Sequence, residues 1–198
     1  MNRFTITGTA VALDADGLAN DIAYAGGGYV LAANSAADSL AHEITILGNA
    51  ATNHSGKTFT ITGTGPNGEP LTEDIAGPNG IATVTSTKSF LTVTSVTVSA
   101  TTGADTFDIG WNANTVSPWE YIDRLGQWPA AGMAFDCIKG TGSPNYSVQY
   151  TLDGGVTAFT HADVTGETTS QAGTILTPVQ AVRIKWTVAG QVTMHGLF

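Results

Sequence analysis

Threonine alternates with valine, phenylalanine or another residue in the stretch TVTSTKSFLTVTSVTVSA, residues 83–100. A two-residue period places alternate side chains on opposite faces of an extended strand, and it does not fit the 3.6-residue period of a helix. Similar runs recur along the chain, separated by Gly, Asn, Asp and Ser. Short strands at such spacing are typical of an antiparallel β-sandwich or barrel.

The chain has 198 residues, which is enough for one large β domain or two small ones. Alternation is interrupted at residues 111–133, where three of the four tryptophans lie. We therefore predict an all-β fold made of two tandem small antiparallel β-sandwich or barrel-like domains. The predicted divisions are residues 1–112 for an N-terminal β domain, 113–132 for an aromatic and proline-rich junction, and 133–198 for a C-terminal β-sandwich.

Gly63, Gly65 and Gly68 have the G-x-G-x-x-G spacing of dinucleotide-binding domains. That motif holds pyrophosphate only where a helix follows the glycines, and here a proline and β-compatible residues follow. Pro66-Asn67-Gly68 is instead typical of a turn, which predicts a β-hairpin. A second Pro-Asn-Gly at 78–80 predicts that this region continues as a meander. Near the N-terminus, RFTITGTAVAL and GGGYVLAAN are predicted strands, joined by a turn-rich segment, DADGLANDIAYA.

The formal net charge is −9, and the seven Lys and Arg residues are dispersed. Because phosphate contacts need clustered cations, we predict no nucleic-acid partner. The chain has no apolar run long enough for a transmembrane helix, and its first residues lack the apolar core of a signal peptide, so we predict no membrane partner. Cys137, the one cysteine, lies in an apolar run and is predicted to be buried and unreactive.

Candidate chemical groups are sparse. Asp14, Asp16 and Asp21 lack the spacing of a calcium loop, and we predict a solvated turn there. The histidines share no metal-ligand spacing and are predicted to lie in surface loops: His42, His54, His161 and His195. An enzymatic hypothesis would use Ser143, His161 and Asp163, but the flanking G-x-S-x-G pattern is missing. We predict a protein that is not an enzyme, with no catalytic residue, cofactor or metal.

Two regions are candidates for contact with other proteins. The alternating N-terminal segment MNRFTITGTAVAL is suited to an edge strand that pairs with a neighbour. The tryptophans of 111–128 either cover the seam between the domains or form an exposed platform for a partner subunit or a sugar. The predicted interface residues are Arg3, Phe4, Thr5, Trp119, Tyr121 and Trp128.

Residues 58–99, TFTITGTGPNGEPLTEDIAGPNGIATVTSTKSFLTVTSVTVS, resemble a segment that recurs in virion proteins of tailed bacteriophages. YSVQYTLDGG and TPVQAVRIKWT, within residues 146–187, are similar to a second recurring phage element. The two resemblances cover about half of the chain. They imply a structural role in the virion, as a capsid decoration (cement) protein or as a neck or tail component, and they carry over no functional side chain.

The expected function is therefore that of a capsid decoration protein that stabilises the shell and is located in the virion after synthesis in the host cytoplasm. Its expected partners are the major capsid protein or other virion proteins, in a homo-oligomer or symmetric lattice. The alternative is a neck, tail or tail-fibre module that binds carbohydrate through Trp119, Tyr121, Trp128 and Trp186.

Overall fold

The computed structural model describes residues 3–122 and 132–197, which form β-strands and no helix. The fold is all-β and of the β-sandwich type, so the prediction made from alternation is confirmed. The chain divides into two compact units. Residues 12–113 form a continuous unit, which we call the inserted unit, and residues 1–11 form the terminal unit together with residues 114–198.

This division differs from the predicted one in how it treats the first residues. Residues 1–11 belong with the C-terminal part of the chain, whereas the sequence predicts a domain of residues 1–112. The reason is the pairing of strand β1 (Arg3–Ala10) with strand β14 (Ala181–Leu197), a contact between residues at least 180 positions apart that local sequence patterns do not encode. Of the predicted junction 113–132, residues 123–131 lie outside the described residues.

The inserted unit contains most of the strands. A four-stranded sheet has the order β3-β8-β5-β6, and a second group of strands has the order β9-β4-β7, with β2 also paired to β9. The strands are β2 (Asp14–Ala23), β3 (Gly28–Tyr29), β4 (Ala41–Gly48), β5 (Thr58–Thr64), β6 (Pro70–Ala76), β7 (Thr83–Phe90), β8 (Thr92–Val98) and β9 (Thr106–Val116), whose last residues already belong to the terminal unit.

The predicted hairpin around the glycine motif is confirmed. β5 and β6 pair from Thr58↔Ala76 to Thr64↔Pro70, and the turn is closed by the Gly68 amide, which donates to the Gly65 carbonyl over 3.0 Å. Gly68 has a φ of +83°, a left-handed conformation that glycine adopts without steric cost. The motif therefore belongs to a turn.

The predicted meander is wrong beyond β6. β7 pairs with β4 in the second group of strands, whereas β5 lies between β6 and β8. A side chain connects β6 to β7 where no ladder does: Glu73 accepts hydrogen bonds from the amides of Thr87 and Lys88, both over 2.8 Å. The turn residues at 78–80 predict a break between two strands, but they do not determine which sheet the next strand joins.

The segment predicted as a turn, DADGLANDIA, is strand β2. It pairs irregularly with β9, because register shifts separate Asp14↔Trp111, Ala19↔Ile109 and Ile22↔Phe107. These irregularities turn Leu18 and Ala19 inward and leave most of the polar side chains outward. GGGYVLAAN contributes only the two-residue strand β3.

Aromatic rings form the core of the inserted unit. Phe59 of β5 lies 5.8 Å from Tyr29 of β3 and 5.4 Å from Phe107 of β9, measured between ring centroids. Because the first two residues belong to the four-stranded sheet and the third to the other group, this cluster fills the space between the two layers of a sandwich.

The terminal unit is organised around β14 (Ala181–Leu197). This 17-residue strand pairs with β1 (Arg3–Ala10), with β11 (Met133–Thr151) and with the short β10 (Glu120–Tyr121). β12 (Phe159–Thr160) and β13 (Gln171–Ile175) pair with the other side of β11. The ladder between β11 and β14 is interrupted between Lys139 and Tyr146, where register shifts occur.

Cys137 lies in the core of this unit, next to Met194 on the paired strand. Burial raises the pKa of its thiol to about 12, with a smaller contribution from the Asp136 carboxylate. The predicted buried thiol is therefore confirmed, and it is protonated at neutral pH.

Candidate interaction surface

The first strand presents a regular polar surface. β1 pairs with β14 without interruption, from Arg3↔Leu197 to Ala10↔Gly190. Its even-numbered residues from Ile6 onward are buried, whereas Thr5, Thr7 and Thr9 are exposed. This is the alternation that the sequence predicted, and it turns three hydroxyl groups to one side of the sheet.

The exposed side continues across β14 and onto β11. Partners directly opposite each other in an antiparallel ladder point to the same face, so the ladders define four rows of side chains. We call this surface the threonine face. Its rows are Arg3–Leu197–Ala134, Thr5–His195–Asp136, Thr7–Thr193–Ile138 and Thr9–Gln191.

Neutral groups dominate the threonine face. The hydroxyl oxygens of Thr7 and Thr193 are 3.2 Å apart and share a hydrogen bond. His195 Nδ1 lies 3.2 Å from Asp136 Oδ1, and both side chains are about half exposed. A pair this exposed adds little to stability, because water screens it. The face therefore offers hydroxyls that can hydrogen-bond to a partner without removing a full charge from water.

Arg3, Phe4 and Thr5 lie together at one end of this sheet. They border an open depression of 470 Å³, whose lining among the described residues is Arg3, Phe4, Thr5, Ala134, Phe135, Asp136, His195, Gly196 and Leu197. The depression combines aromatic and aliphatic surface with one guanidinium and one carboxylate. These three predicted interface residues are thus brought into one place.

The predicted aromatic interface residues are placed elsewhere. Tyr121 is 53% exposed, and its hydroxyl donates to the Gly154 carbonyl. Trp119 is only 7% exposed, and the Arg183 guanidinium carbon lies 4.2 Å from the centre of its ring. β10 pairs with the start of β14, whereas Arg3 pairs with its end, so the two groups lie at opposite ends of one strand. Trp128 lies outside the described residues.

Of the two alternatives for the aromatic residues, the exposed platform does not fit Trp119 or Trp186. Trp186 is fully buried and Trp119 nearly so, because both pack in the terminal unit. A ring with no exposed face cannot stack on a sugar. Of the described aromatics proposed for carbohydrate binding, Tyr121 alone is exposed.

The sequence patterns did not indicate an exposed apolar hairpin that lies between β11 and β12. Leu152, Val156 and Phe159 are 48%, 86% and 42% exposed. The loop is ordered by Asp153, which accepts from the Thr157 amide and the Thr151 hydroxyl, each over 2.8 Å, and these bonds lower the pKa of its carboxyl. The Asp-Gly-Gly turn between apolar residues was the signal that could have indicated it.

Three histidines are buried, which corrects the prediction of surface loops. His42, His54 and His161 are enclosed, and His195 is exposed. Burial is possible because each enclosed ring has hydrogen-bond partners at both nitrogens.

The ring of His161 is engaged by the backbone. Its Nε2 lies 3.1 Å from the Thr174 carbonyl, and its Nδ1 accepts from the Asp163 amide over 3.3 Å. Neither nitrogen is left to take a proton from Ser143. The geometry therefore gives no support to the enzymatic hypothesis built on these residues.

Carboxylates pair with nearby polar groups. A hydrogen bond with Asp16 raises the pKa of Asp14, and a hydrogen bond from the Asn20 amide lowers that of Asp16.

Residues 3–122 and 132–197 contain no group of three or more His, Cys, Asp or Glu side chains arranged to hold a metal ion. The same residues include no helix long and apolar enough to cross a membrane.

Comparison of the chain with protein-family models, with curated protein sequences and with solved structures finds no match.

Proposed function

We propose that this chain is a structural subunit of a tailed-bacteriophage virion that acts through protein–protein contact, in the first instance as a capsid decoration protein. The observation that carries the proposal is the threonine face, on which Thr5, Thr7, Thr9 and Thr193 form registered rows with few charges. A subunit that adds to a shell of identical proteins needs a rigid surface whose polar groups form hydrogen bonds both to water before docking and to protein after it.

The energetics of such a surface suit repeated docking. Hydroxyl groups exchange water for protein partners at small net cost, whereas a buried charge must be paired to avoid a penalty of several kcal/mol, about 3–5 when one partner is missing. The depression beside Arg3 and Phe4 adds apolar area next to this face. Together they resemble the anatomy of a protein interface, in which an apolar centre has a polar rim.

The resemblance of residues 58–99 and 146–187 to phage elements supports the virion as the location. Strands form most of both elements: the first covers β5 to β8, and the second covers the end of β11 and the start of β14. The burial of Trp119 and Trp186 weighs against the carbohydrate-binding alternative.

Quantitative mass spectrometry of purified virions tests the proposal. We expect the chain to be present at a copy number comparable with that of the major capsid protein. A dozen copies or fewer would place it in the neck or tail and reject the decoration role. Absence from particles would reject the virion proposal as a whole.

A further inference from the structure

The ring of His42 in the inserted unit faces two oxygen acceptors. Its Nδ1 lies 3.0 Å from the backbone carbonyl oxygen of Asn112, and its Nε2 lies 2.9 Å from Asp38 Oδ2. A carbonyl oxygen can only accept, so Nδ1 must carry a proton. The contact with Asp38 needs a second proton, because otherwise a nitrogen lone pair would face a carboxylate. The pair therefore holds one proton more than a neutral imidazole and a carboxylate.

The other buried histidines do not share this arrangement. His54 Nε2 lies 2.9 Å from Asp105 Oδ2, but its Nδ1 faces the Lys57 ammonium at 3.1 Å, and an ammonium can only donate. His161 likewise has one acceptor and one donor, the Thr174 carbonyl and the Asp163 amide. Both of these rings are satisfied in the neutral form.

We propose that the folded protein keeps His42 as an imidazolium paired with the Asp38 carboxylate at neutral and mildly alkaline pH. The resulting ion pair holds the segment 35–40, which we call the latched segment, against β4. The extra proton belongs on the ring, because a carboxyl group is a far stronger acid than an imidazolium. The carboxylate is also stabilised by the Leu40 amide, which donates to Asp38 Oδ1 over 3.0 Å. The side chains of His42 and Asp38 are 1% and 4% exposed, so water cannot replace either partner.

The latched segment holds backbone strain. Ala37 and Ser39, on either side of Asp38, have φ values of 60° and 62°, in the left-handed region that residues with a side chain seldom adopt. The residues before this segment are held by backbone hydrogen bonds: the Ala32 amide donates to the Leu18 carbonyl, and the Asn34 carbonyl accepts from the Val93 amide. Loss of the proton is therefore expected to release residues 35–40 while the rest of the unit stays folded.

Other charged groups of the inserted unit have their own partners. Glu43 on β4 accepts from the Asn112 side-chain amide over 2.8 Å, and Lys88 on β7 donates to the Thr72 carbonyl over 2.8 Å. Trp111 on β9 presents its ring 6.1 Å from that of His42. The remaining titratable groups on β2, β4, β7 and β9, in the part of the chain that the structure describes, are Asp14, Asp16, Asp21 and Asp108, which are hydrogen-bonded on the outer surface.

Asp38→Asn tests the proposal without removing the contacts. The new side-chain amide can donate to Nε2 of a neutral His42, and its oxygen can still accept from Leu40. Above about pH 6.5 an unfolded histidine loses its proton. There the folding equilibrium constant of the wild type should fall, for each pH unit, by a factor about ten times larger than that of D38N. It falls as the pH rises because the folded wild type holds one proton more than the unfolded chain. Equal slopes would overturn the proposal.

Asp105→Asn is the matched control, because the neutral ring of His54 can donate to either side chain; its slope should equal that of the wild type. Nitrogen-15 NMR of the wild type gives a measurement that does not depend on any variant folding. At pH 7.5 both ring nitrogens of His42 should carry a directly bonded proton. As the pH rises, hydrogen exchange of the backbone amides of residues 35–40 should accelerate by more than the intrinsic increase in exchange rate with pH. A single protonated ring nitrogen in His42 would reject the assignment.

Discussion

The ring of Phe4 covers the backbone of Gly196, its partner across the ladder between β1 and β14. A Cβ atom added at Gly196 would overlap that ring. Phe135 covers Gly173 in the same way from β11 to β13, where an added Cβ would lie 2.6 Å from the ring. Glycine thus alternates with phenylalanine across four strands, and each ring occupies the space that a missing side chain leaves.

Gly196→Ala should destabilise the terminal unit. The new methyl group would push the Phe4 ring aside, and overpacking of this kind costs about 1–3 kcal/mol. Chemical denaturation followed by tryptophan fluorescence measures the change. Gly56→Ala is the control, because an added Cβ there meets nothing within 4 Å and the free energy of unfolding should change little. Equal stability of both variants would contradict the packing described.

Glu73→Gln should destabilise the inserted unit by about 1–3 kcal/mol. The carboxylate accepts from two amides and from the Thr87 hydroxyl, and an amide side chain would set its NH₂ group against one of these donors. Urea denaturation would measure the loss. Glu120→Gln, at an exposed position on β10, is the control and should leave stability within about 0.5 kcal/mol of the wild type.

Thr7→Arg should lower the occupancy of the protein on particles and leave its folding intact. The residue is exposed at the centre of the threonine face, where an arginine would bring a long charged side chain into the proposed contact. Occupancy is measured by mass spectrometry of particles assembled with each variant. Thr168→Arg, at an exposed loop position, should bind normally. Normal binding of Thr7→Arg would exclude the threonine face as the attachment surface.

Attachment should survive a wash at high salt. Because the threonine face presents few charges, its contacts are hydroxyl and apolar ones, and ionic strength of about 1 M screens charges beyond about 3 Å without weakening apolar burial. Sedimentation of washed particles, followed by gel analysis, gives the retained fraction. Release by salt alone would indicate an electrostatic attachment through other residues.

The thiol of Cys137 should resist alkylation at pH 8–9 in the folded protein and react once the protein unfolds. Its folded pKa, raised to about 12 by burial, lies above its ordinary value of 9.0. The stability from this group is therefore complete below pH 9 and is lost as the pH rises from 9 toward 12. Cys137→Ala should flatten that part of the stability profile. Rapid labelling of native protein would show that the thiol is accessible.

Local patterns in the sequence predicted part of the local structure. Alternation identified β1 with its exposed threonines, and Pro66-Asn67-Gly68 identified the turn between β5 and β6. Both depend on the residues immediately concerned, through side-chain period and backbone preference. The buried state of Cys137 was evident from its apolar neighbours for the same reason.

Long-range partners could not be predicted from the same patterns. β7 joins β4 rather than β6, and the ring of His42 is buried because Asn112 and Asp38 supply acceptors from other segments. The sequence predicts that the N-terminal segment is an edge strand that pairs with a neighbour. Since Ile6 and Ala10 are buried against the rest of the unit, its deletion would disturb folding, so point variants are the sharper test of attachment.

The pairing of β1 with β14 also sets an order of events during synthesis. The ribosome makes β1 before its partner β14, and all of the inserted unit lies between them in the chain. The inserted unit can therefore fold as soon as it emerges, but β1 must wait as an unpaired strand until residues 190–197 have been translated. At about 5–20 residues per second this delay lasts roughly ten to forty seconds. If translation stops before β14, the released chain would contain a folded inserted unit and an unpaired β1 whose backbone groups are open to pairing with other chains.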